Sequence, residues 1–325
     1  MRIGPYHLLN NLLLAPMAGI TDAPFRQICS EFGAGLTVSE MVISNRSLQY
    51  HPRTLKKLDY SGNSSLRSVQ ILGTDPRQMA EAAKLNQDRG AQIIDINMGC
   101  PAKKVCSVAA GSALLKDESL VARILDAVIN AVEIPVTLKI RTGWDLANRN
   151  APTIAKIAES CGIQALTIHG RSRACKFTGT AEYDTIKQVK QSVSIPIIAN
   201  GDIDSAAKAR QVLEYTGADA VMIGRAAQGK PWIFYELNAN LNNGTFSPLS
   251  LTEIKAVINQ HLENLYSFYG NDSGVRIARK HIGWYFDHLG TLPAEQKTAI
   301  NQALHAARQL ALVNASFNLM PPRAA

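Results

Sequence analysis

The segment Ile93-Ile94-Asp95-Ile96-Asn97-Met98-Gly99-Cys100-Pro101 places a cysteine directly after a run that is typical of a buried β-strand. Gly99 lacks the Cβ that would crowd a bent backbone, and Pro101 fixes φ, so the strand cannot continue past Cys100. Catalytic residues often lie at such strand ends. A free cysteine is also commonly a small buried hydrophobe, and this segment alone leaves both interpretations open.

Similar short apolar runs, rich in β-branched residues, recur on both sides of this segment, and helical periodicity follows each of them. The eight runs are Leu12–Ala15, Leu36–Ser39, Ser68–Ile71, Ile93–Asn97, Val136–Ile140, Ala165–His169, Ile197–Asn200 and Ala220–Ile223. Eight such units in about 235 residues match a (β/α)₈ barrel, which typically has ~250. The alternative, a doubly wound sheet, usually has a G-x-G-x-x-G turn after its first strand, and none follows Leu14.

The pattern changes after the eighth unit, because no strand-like run occurs from Leu251 onward. Apolar residues spaced three and four apart predict helices there. These predicted helices are Thr252–Tyr269, Arg276–His288 and Ala294–Val313. Loop residues at Asn242-Asn243-Gly244 mark the boundary. The sequence therefore predicts an α/β protein with a TIM barrel over residues 1–243, followed by a small helical domain over residues 244–325.

Composition narrows the class of protein. The 325 residues are 46% hydrophobic and 18% charged, with no run long enough to span a membrane and no secretory leader at the first residues. The five cysteines lack CxxC or Cys/His ligand spacing. We therefore expect a cytoplasmic protein without disulfides, a metal site or a membrane partner. The net charge of +8 favours a polyanionic partner.

Polar residues occur at nearly every predicted strand end, where barrels collect their functional groups. Asn200-Gly201-Asp202 and Gly224-Arg225 follow strands seven and eight, where barrels commonly bind phosphate through backbone N–H groups. The guanidinium of Arg225 also suits phosphate oxygens. Lys139 lies inside an apolar strand, where an unpaired ammonium is costly, so it needs an internal partner or a ligand.

These strand ends together predict a phosphate-bearing cofactor lying across the barrel mouth. Flavin mononucleotide (FMN) fits, because an ammonium such as that of Lys139 stabilises the negative edge of reduced flavin. The carboxamide of Gln70 could pair with the polar ring edge, and backbone from Pro16-Met17-Ala18 could close over the ring.

Seven blocks of sequence, in order, extend from the first residues to about position 288. They are Ala15–Asp22, Asp95–Val105, Thr137–Trp144, Ile168–Arg171, Ile198–Ile203, Met222–Arg225 and Gly274–His281. On these blocks the sequence resembles the tRNA-dihydrouridine synthases, most closely those of the bacterial B type. The resemblance implies an FMN enzyme that uses NADPH to reduce the C5–C6 double bond of a uridine in the tRNA D-loop.

The resemblance also assigns roles residue by residue. Cys100 would be the general acid that protonates C5 after hydride reaches C6, and Asn97 would position the uracil. The residues that would bind FMN are Pro16, Met17, Ala18, Gln70, Lys139, Asn200, Gly201, Asp202, Gly224 and Arg225, with His169 near the phosphate. Basic residues expected to contact tRNA are Arg141 on the barrel and Arg276, Arg279 and Lys280, at helical spacing, on the small domain.

Two other functions stay open at this stage. One is a flavin barrel acting on a free pyrimidine, in the manner of dihydroorotate or dihydropyrimidine dehydrogenases, which would give the basic helical domain no purpose. The other is an RNA-binding barrel protein without catalytic activity, which would leave Lys139 and Cys100 unexplained. For the favoured function we expect a monomer with tRNA as its partner.

Overall fold

The structure is a computed structural model that describes residues 1–60, 66–242 and 244–319. The chain forms two compact units, Met1–Arg225 and Ala226–Ala325. This division differs from the predicted boundary between residues 243 and 244, and Asn243 itself lies outside the described residues. Residues after Arg225 belong to the second unit because they pack on its long helices: the Trp232 ring stacks on Tyr285 at 6.2 Å, and His288 bonds to the Gln228 carbonyl.

The first unit is built around a closed parallel barrel. A short antiparallel hairpin of β1 (Arg2–Ile3) and β2 (Tyr6–His7) comes first. The parallel strands are β3 (Leu12–Leu14), β4 (Leu36–Thr37), β5 (Val42–Ile43), β6 (Ser68–Leu72), β7 (Ile93–Met98), β8 (Val136–Arg141), β9 (Ala165–His169), β10 (Ile197–Asn200) and β11 (Ala220–Ile223). A parallel bridge from Val38 to Ser68 joins the end of β4 to β6 and closes the ring. The predicted barrel is therefore confirmed, with β5 as an additional short strand beside β6.

Helices connect the strands as the alternating pattern predicted. They are α1 (Ala23–Glu31), α2 (Pro52–Lys57), α3 (Pro76–Asp88), α4 (Lys103–Cys106), α5 (Glu118–Ile129), α6 (Ala151–Cys161), α7 (Asp184–Ser192) and α8 (Ala206–Thr216). Capping residues determine where several of these helices begin and end. Asp22 and Asp75 accept from backbone N–H groups at the starts of α1 and α3, and left-handed Gly162 and Gly217 end α6 and α8.

The barrel interior changes from apolar to polar along the strands. Near their starts, Leu13, Leu36 and Ile93 belong to one buried cluster that includes Ile3 of the hairpin. Side chains alternate across a strand, so the next inward positions lie closer to the carboxyl ends. These positions hold Gln70, Asp95, Asn97, Thr137, Lys139, Thr167 and Asn200. This end of the barrel therefore concentrates hydrogen-bonding groups.

The second unit is helical. Its helices are α9 (Ile233–Leu241), α10 (Leu251–Tyr269), α11 (Asn271–Leu289), α12 (Ala294–Gln302) and α13 (Ala306–Ser316). The prediction of one helix over Ala294–Val313 was wrong, because the backbone is extended at Ala303 (φ −57°, ψ 131°). Asn271 stabilises the break: its Oδ1 accepts from Ala306 N at 2.7 Å and its Nδ2 donates to Leu304 O at 3.1 Å. Among the described residues, none of the helices could span a membrane.

Candidate active site

Cys100 lies on a turn that is held from both sides. The side-chain oxygen of Asn97 accepts hydrogen bonds from the backbone N–H groups of Gly99 (3.1 Å) and Cys100 (2.9 Å). From the other side, the Ser112 hydroxyl and backbone N–H donate to the Cys100 carbonyl at 2.9 and 3.1 Å. Gly111 is left-handed (φ +61°), and a Cβ there would lie 2.8 Å from the same carbonyl. The sequence therefore builds a sharp, fixed turn that carries a half-buried thiol.

The environment of Cys100 keeps its thiol protonated. Burial raises the pKa of Cys100 above its ordinary value, and the nearby Cys106 raises it further. The backbone at Ala102 and the guanidinium of Arg141 act in the opposite direction without overcoming burial. A protonated thiol can donate a proton but is a poor nucleophile.

A line of buried polar side chains fixes Asn97. Its Nδ2 donates to Gln70 Oε1 at 2.8 Å, and Gln70 Nε2 donates to Asp95 Oδ2 at 2.6 Å. The hydroxyl of Thr137 donates to the other Asp95 oxygen at 2.6 Å. Burial raises the pKa of Asp95, which these hydrogen bonds and the charge of Lys139 partly offset. Asp95 and Thr137 were missed by sequence reasoning, although a carboxylate two residues before Asn97 shares its strand face.

Lys139 projects into the same polar layer. It pairs in register with Asn97, and its Nζ donates to Asn200 Oδ1 at 2.9 Å. Asn200 in turn donates to the Met222 carbonyl at 2.8 Å, which fixes its amide orientation. Burial, together with the charge of Arg141, lowers the pKa of Lys139 to about 8, while Asp95 raises it. The ammonium is thus anchored by a neutral amide and remains able to donate to an electron-rich ligand.

Arg141 is placed differently from the expectation that it contacts tRNA. Its residue surface is 1% exposed, and its guanidinium donates to the carbonyls of Gly99 (2.8 Å), Ser172 (3.0 Å) and Lys176 (2.7 Å). Burial lowers the pKa of Arg141 to about 10, so it stays charged at neutral pH. Because it bonds the carbonyl just before Cys100, the geometry favours a positioning role for this residue.

The ends of β9, β10 and β11 form a second cluster. Asp202, in a left-handed conformation (φ +49°), receives two hydrogen bonds from Arg171 at 2.6 and 2.8 Å and one from Arg225 at 3.1 Å. Burial alone would raise the pKa of Asp202, but Arg171 and Arg225 hold it below its ordinary value. Asp202 therefore orients two guanidiniums, and the Arg225 side chain remains 56% exposed.

Gly201 and His169 complete this cluster. Gly201 has φ +122°, and a Cβ there would lie 3.0 Å from His169 Cδ2, so only glycine fits. Burial and the surrounding positive charges lower the pKa of His169 to about 2. The imidazole is therefore neutral near pH 7 and can hydrogen-bond to a ligand, but it cannot act as a cationic acid.

The loop after β3 reaches the same end of the barrel. Within it, the Met17 carbonyl accepts from the N–H groups of Ile20 and Thr21, and the Met17 N–H donates to the Thr21 hydroxyl at 2.8 Å. A Cβ built on Gly224 would lie 3.8 Å from Met17 Sδ. The loop of Pro16, Met17 and Ala18 therefore adjoins the end of β11.

The residues at this end suit a flavin nucleotide. The anchored ammonium of Lys139 matches the edge of a flavin ring that gains negative charge on reduction. The backbone at Gly224 is partly exposed, and Arg225 offers an exposed guanidinium for phosphate. In the part of the chain that the structure describes, no group of three His, Cys, Asp or Glu side chains is placed to hold a metal ion.

The remaining predicted residues lie in the second unit. Arg276, Arg279 and Lys280 are on α11, where Arg276 is exposed and the other two are half-buried. The Arg279 guanidinium donates to the Ala303 carbonyl at 3.5 Å.

Known proteins of one family are similar to this chain in sequence. The family model described as dihydrouridine synthase matches residues 13–319. The chain is 60% identical over 298 residues to tRNA-dihydrouridine synthase B of Pseudomonas aeruginosa, covering 91% of this chain and 89% of that protein. It is 56% identical over 319 residues to the protein of the same name from Proteus vulgaris, covering 98% of each.

Solved structures are similar in fold at low sequence identity. A structure of TcOYE with pHBA has a TM-score of 0.56 at 14% identity, over 78% of this chain and 94% of that one. A structure of morphinone reductase in complex with tetrahydroNAD has a TM-score of 0.53 at 12% identity, over 78% and 92%. These two likenesses support the barrel fold.

Proposed function

Because the chain belongs to the dihydrouridine synthase family, we propose that it reduces the C5–C6 double bond of a D-loop uridine in tRNA to 5,6-dihydrouridine, using FMN and NADPH. One observation carries the chemical part of this proposal. The half-buried, protonated thiol of Cys100 is fixed on a braced turn, at the same barrel end as the anchored ammonium of Lys139.

The cofactor would be held by the residues that end the strands. Arg225, with the glycine backbone at Gly201 and Gly224, would bind the FMN phosphate. Lys139 and Gln70 would face the polar edge of the ring, and the Pro16–Ala18 loop would cover it. Asp202 would orient Arg225, and His169 would hydrogen-bond as a neutral imidazole. FMN, when bound and reduced by NADPH, supplies the hydride for C6 of the uracil.

Cys100 would then deliver a proton from Sγ to C5, where negative charge develops. Its raised pKa keeps the proton on sulfur until it is needed. Asn97 and Arg141 fix the turn through the Cys100 N–H and the Gly99 carbonyl, so the thiol direction is set before the base arrives. Buried polar side chains fill the barrel below this point, which limits water access to the reacting atoms.

Basic residues of the second unit would hold the RNA. Arg276, Arg279 and Lys280 would contact tRNA phosphates, and the target uridine would leave its stack to reach the barrel mouth. We place the reaction in the cytoplasm, with a monomer as the active form. The names of the relatives and the five free cysteines support this location.

Mass mapping of tRNA tests the function directly. In cells that lack this gene, one defined D-loop nucleotide should be a uridine lighter by two hydrogen atoms than the dihydrouridine of normal cells, and the gene should restore it. Purified protein should carry FMN and act on unmodified tRNA. Comparable turnover of free uridine would favour the free-pyrimidine enzyme, and a flavin-free protein that binds tRNA without reaction would favour the non-catalytic binder.

A further inference from the structure

An exposed aromatic ring lies at the barrel mouth without a role in the chemistry above. Phe177 follows β9 and is 54% exposed. Its ring centroid is 5.3 Å from the Arg141 guanidinium, 5.7 Å from that of Arg225 and 6.3 Å from the His169 ring. These three neighbours end or directly follow three different barrel strands, β8, β11 and β9. Phe177 therefore lies at the barrel mouth, between residues assigned to the FMN phosphate and the guanidinium that holds the Cys100 turn.

We propose that Phe177 is a stacking platform for a nucleobase of tRNA, an inference that rests on the proposed function. The ring would hold the target uridine or its neighbour after that nucleotide has left its stack. Bases that have left a stack are commonly received on aromatic rings and on guanidinium planes. The exposed ring of Phe177 and the exposed guanidinium of Arg225 provide both kinds of surface in one place.

The loop that carries Phe177 is fixed, as a platform requires. Lys176, just before it, has a left-handed φ of +50°, a conformation that is costly for a residue other than glycine. Arg141 donates to the Lys176 carbonyl at 2.7 Å and so holds this conformation. On the other side, Arg171 donates to the carbonyls of Thr178 at 3.2 Å and Gly179 at 2.5 Å. The backbone that carries the ring is thus held in place before binding, which lowers the entropic cost of ordering the loop.

Arg141 also links the platform to the proton donor. The same guanidinium that lies beside the Phe177 ring donates to the Gly99 carbonyl at 2.8 Å, one residue before Cys100. A base on Phe177 would therefore lie beside the turn that delivers the proton. The charge next to the ring also suits RNA, because the exposed Lys176 precedes Phe177 in the chain and can contact an RNA phosphate.

The test compares two substitutions of Phe177, which together distinguish stacking on an aromatic ring from contact with any apolar side chain of similar size. Phe177→Leu keeps an apolar side chain but removes the π-face, whereas Phe177→Tyr keeps the ring. The matched control is Tyr215→Leu, since Tyr215 is also exposed (46%) and also has a cation over its ring, Lys187 at 4.6 Å, but lies on α8. Binding of unmodified tRNA to each FMN-loaded variant is measured by fluorescence anisotropy, without NADPH, so that no turnover occurs.

We expect Phe177→Leu to weaken tRNA binding by about 5- to 150-fold, the effect of losing one base-stacking ring, and Phe177→Tyr to bind within about twofold of the unchanged protein. Tyr215→Leu should bind normally. Equal tRNA affinity in the Leu and Tyr variants would overturn the proposal. So would a Phe177→Leu variant that binds tRNA normally but is reduced slowly by NADPH, because the ring would then serve the dinucleotide.

The experiment also distinguishes a structural role of Phe177 from a failure of the proposed function. Thermal unfolding and FMN content should be unchanged in Phe177→Leu, because more than half of the residue surface is exposed; a variant that unfolds or loses FMN would show a structural role and contradict the platform. An unchanged protein that binds tRNA but forms no dihydrouridine would overturn the proposed function alone, since the binding comparison needs no turnover.

Discussion

The chemical role of Cys100 depends on its neighbours more than on its residue type. Cys106 lies close by, with its Sγ 3.6 Å from the Cys100 carbonyl, and is also half-buried. Only Cys100 stands on the turn fixed by Asn97 and Arg141. Two cysteines of similar exposure are therefore expected to differ in function.

Replacing each cysteine separately tests this difference. Cys100→Ala should lower dihydrouridine formation by about 10²–10⁴-fold, the usual contribution of a positioned general acid. FMN content and reduction by NADPH should stay normal, because only proton delivery is removed. Cys106→Ala is the control and should keep most activity. Unchanged product formation in Cys100→Ala, measured by mass analysis of tRNA, would refute the proton-donor role.

The pKa of Lys139 predicts how flavin binding depends on pH. Burial lowers this pKa to about 8. Below pH 8 the ammonium is charged and favours the electron-rich ring edge, whereas above pH 8 it becomes neutral and the attraction is lost. FMN affinity should therefore fall as pH rises through 8, by at most about tenfold per pH unit.

Fluorescence titration of FMN between pH 6.5 and 9.5 measures this dependence. Lys139→Gln should bind FMN more weakly at pH 7 and show a flatter profile, whereas Lys84→Gln, an exposed lysine on α3, should keep the original slope. The same slope in Lys139→Gln as in the unchanged protein would assign the titration to another group.

At the scale of elements, the sequence predicted the parts that depend on local pattern. Strands of a parallel barrel are buried on both faces and appear as continuous apolar runs, so all eight runs became strands. The break between α12 and α13 was not predictable in this way, because Asn271, more than thirty residues earlier, stabilises it. Arg141 was expected to face the RNA, but its three carbonyl partners come from distant loops.

In the candidate site, too, the sequence predicted which residues end the strands but not the contacts that they make across strands. The strand-end positions of Gln70 and Asn97 were visible in sequence, but their hydrogen bond joins two strands and depends on register. Asp95 was not recognised as a site residue, because it lies inside an apolar run and not at the end of the strand. A resemblance over seven blocks supplied residue roles that periodicity alone could not give.

The backbone conformation and the close packing at the end of β10 require a glycine at position 201, which can be tested by substitution. Gly201 has φ +122°, and a Cβ there would approach Ala181 Cβ to 2.8 Å. Gly201→Ala should therefore destabilise the protein by about 2–4 kcal/mol, from backbone strain plus overpacking, and should reduce FMN content. Gly179→Ala is the control, because φ is +66° but nothing lies within 4 Å, so it should cost only about 1 kcal/mol. Equal shifts in thermal unfolding would show that backbone strain alone matters at Gly201.

At the scale of the whole molecule, the barrel unit holds every residue assigned to proton delivery and flavin binding. The second unit contributes a buried polar core, where Gln309 accepts from the Tyr266 hydroxyl and donates to the Val275 carbonyl. Arg276 on α11 is exposed, whereas Arg279 and Lys280 are half-buried. A net charge of +8 that includes such residues is consistent with a large polyanionic substrate.

The salt dependence of tRNA binding measures what these residues contribute. Each phosphate contact adds about 0.7–0.9 to the slope of log affinity against log salt concentration. Arg276→Gln removes an exposed charge on α11 and should lower the slope by about that amount, weakening all tRNAs alike, because a phosphate contact does not read sequence. Arg123→Gln, an exposed arginine on α5, is the control for loss of net charge. If both variants lower the slope equally, overall charge rather than a contact on α11 attracts the RNA; if neither does, α11 does not contact phosphate through Arg276.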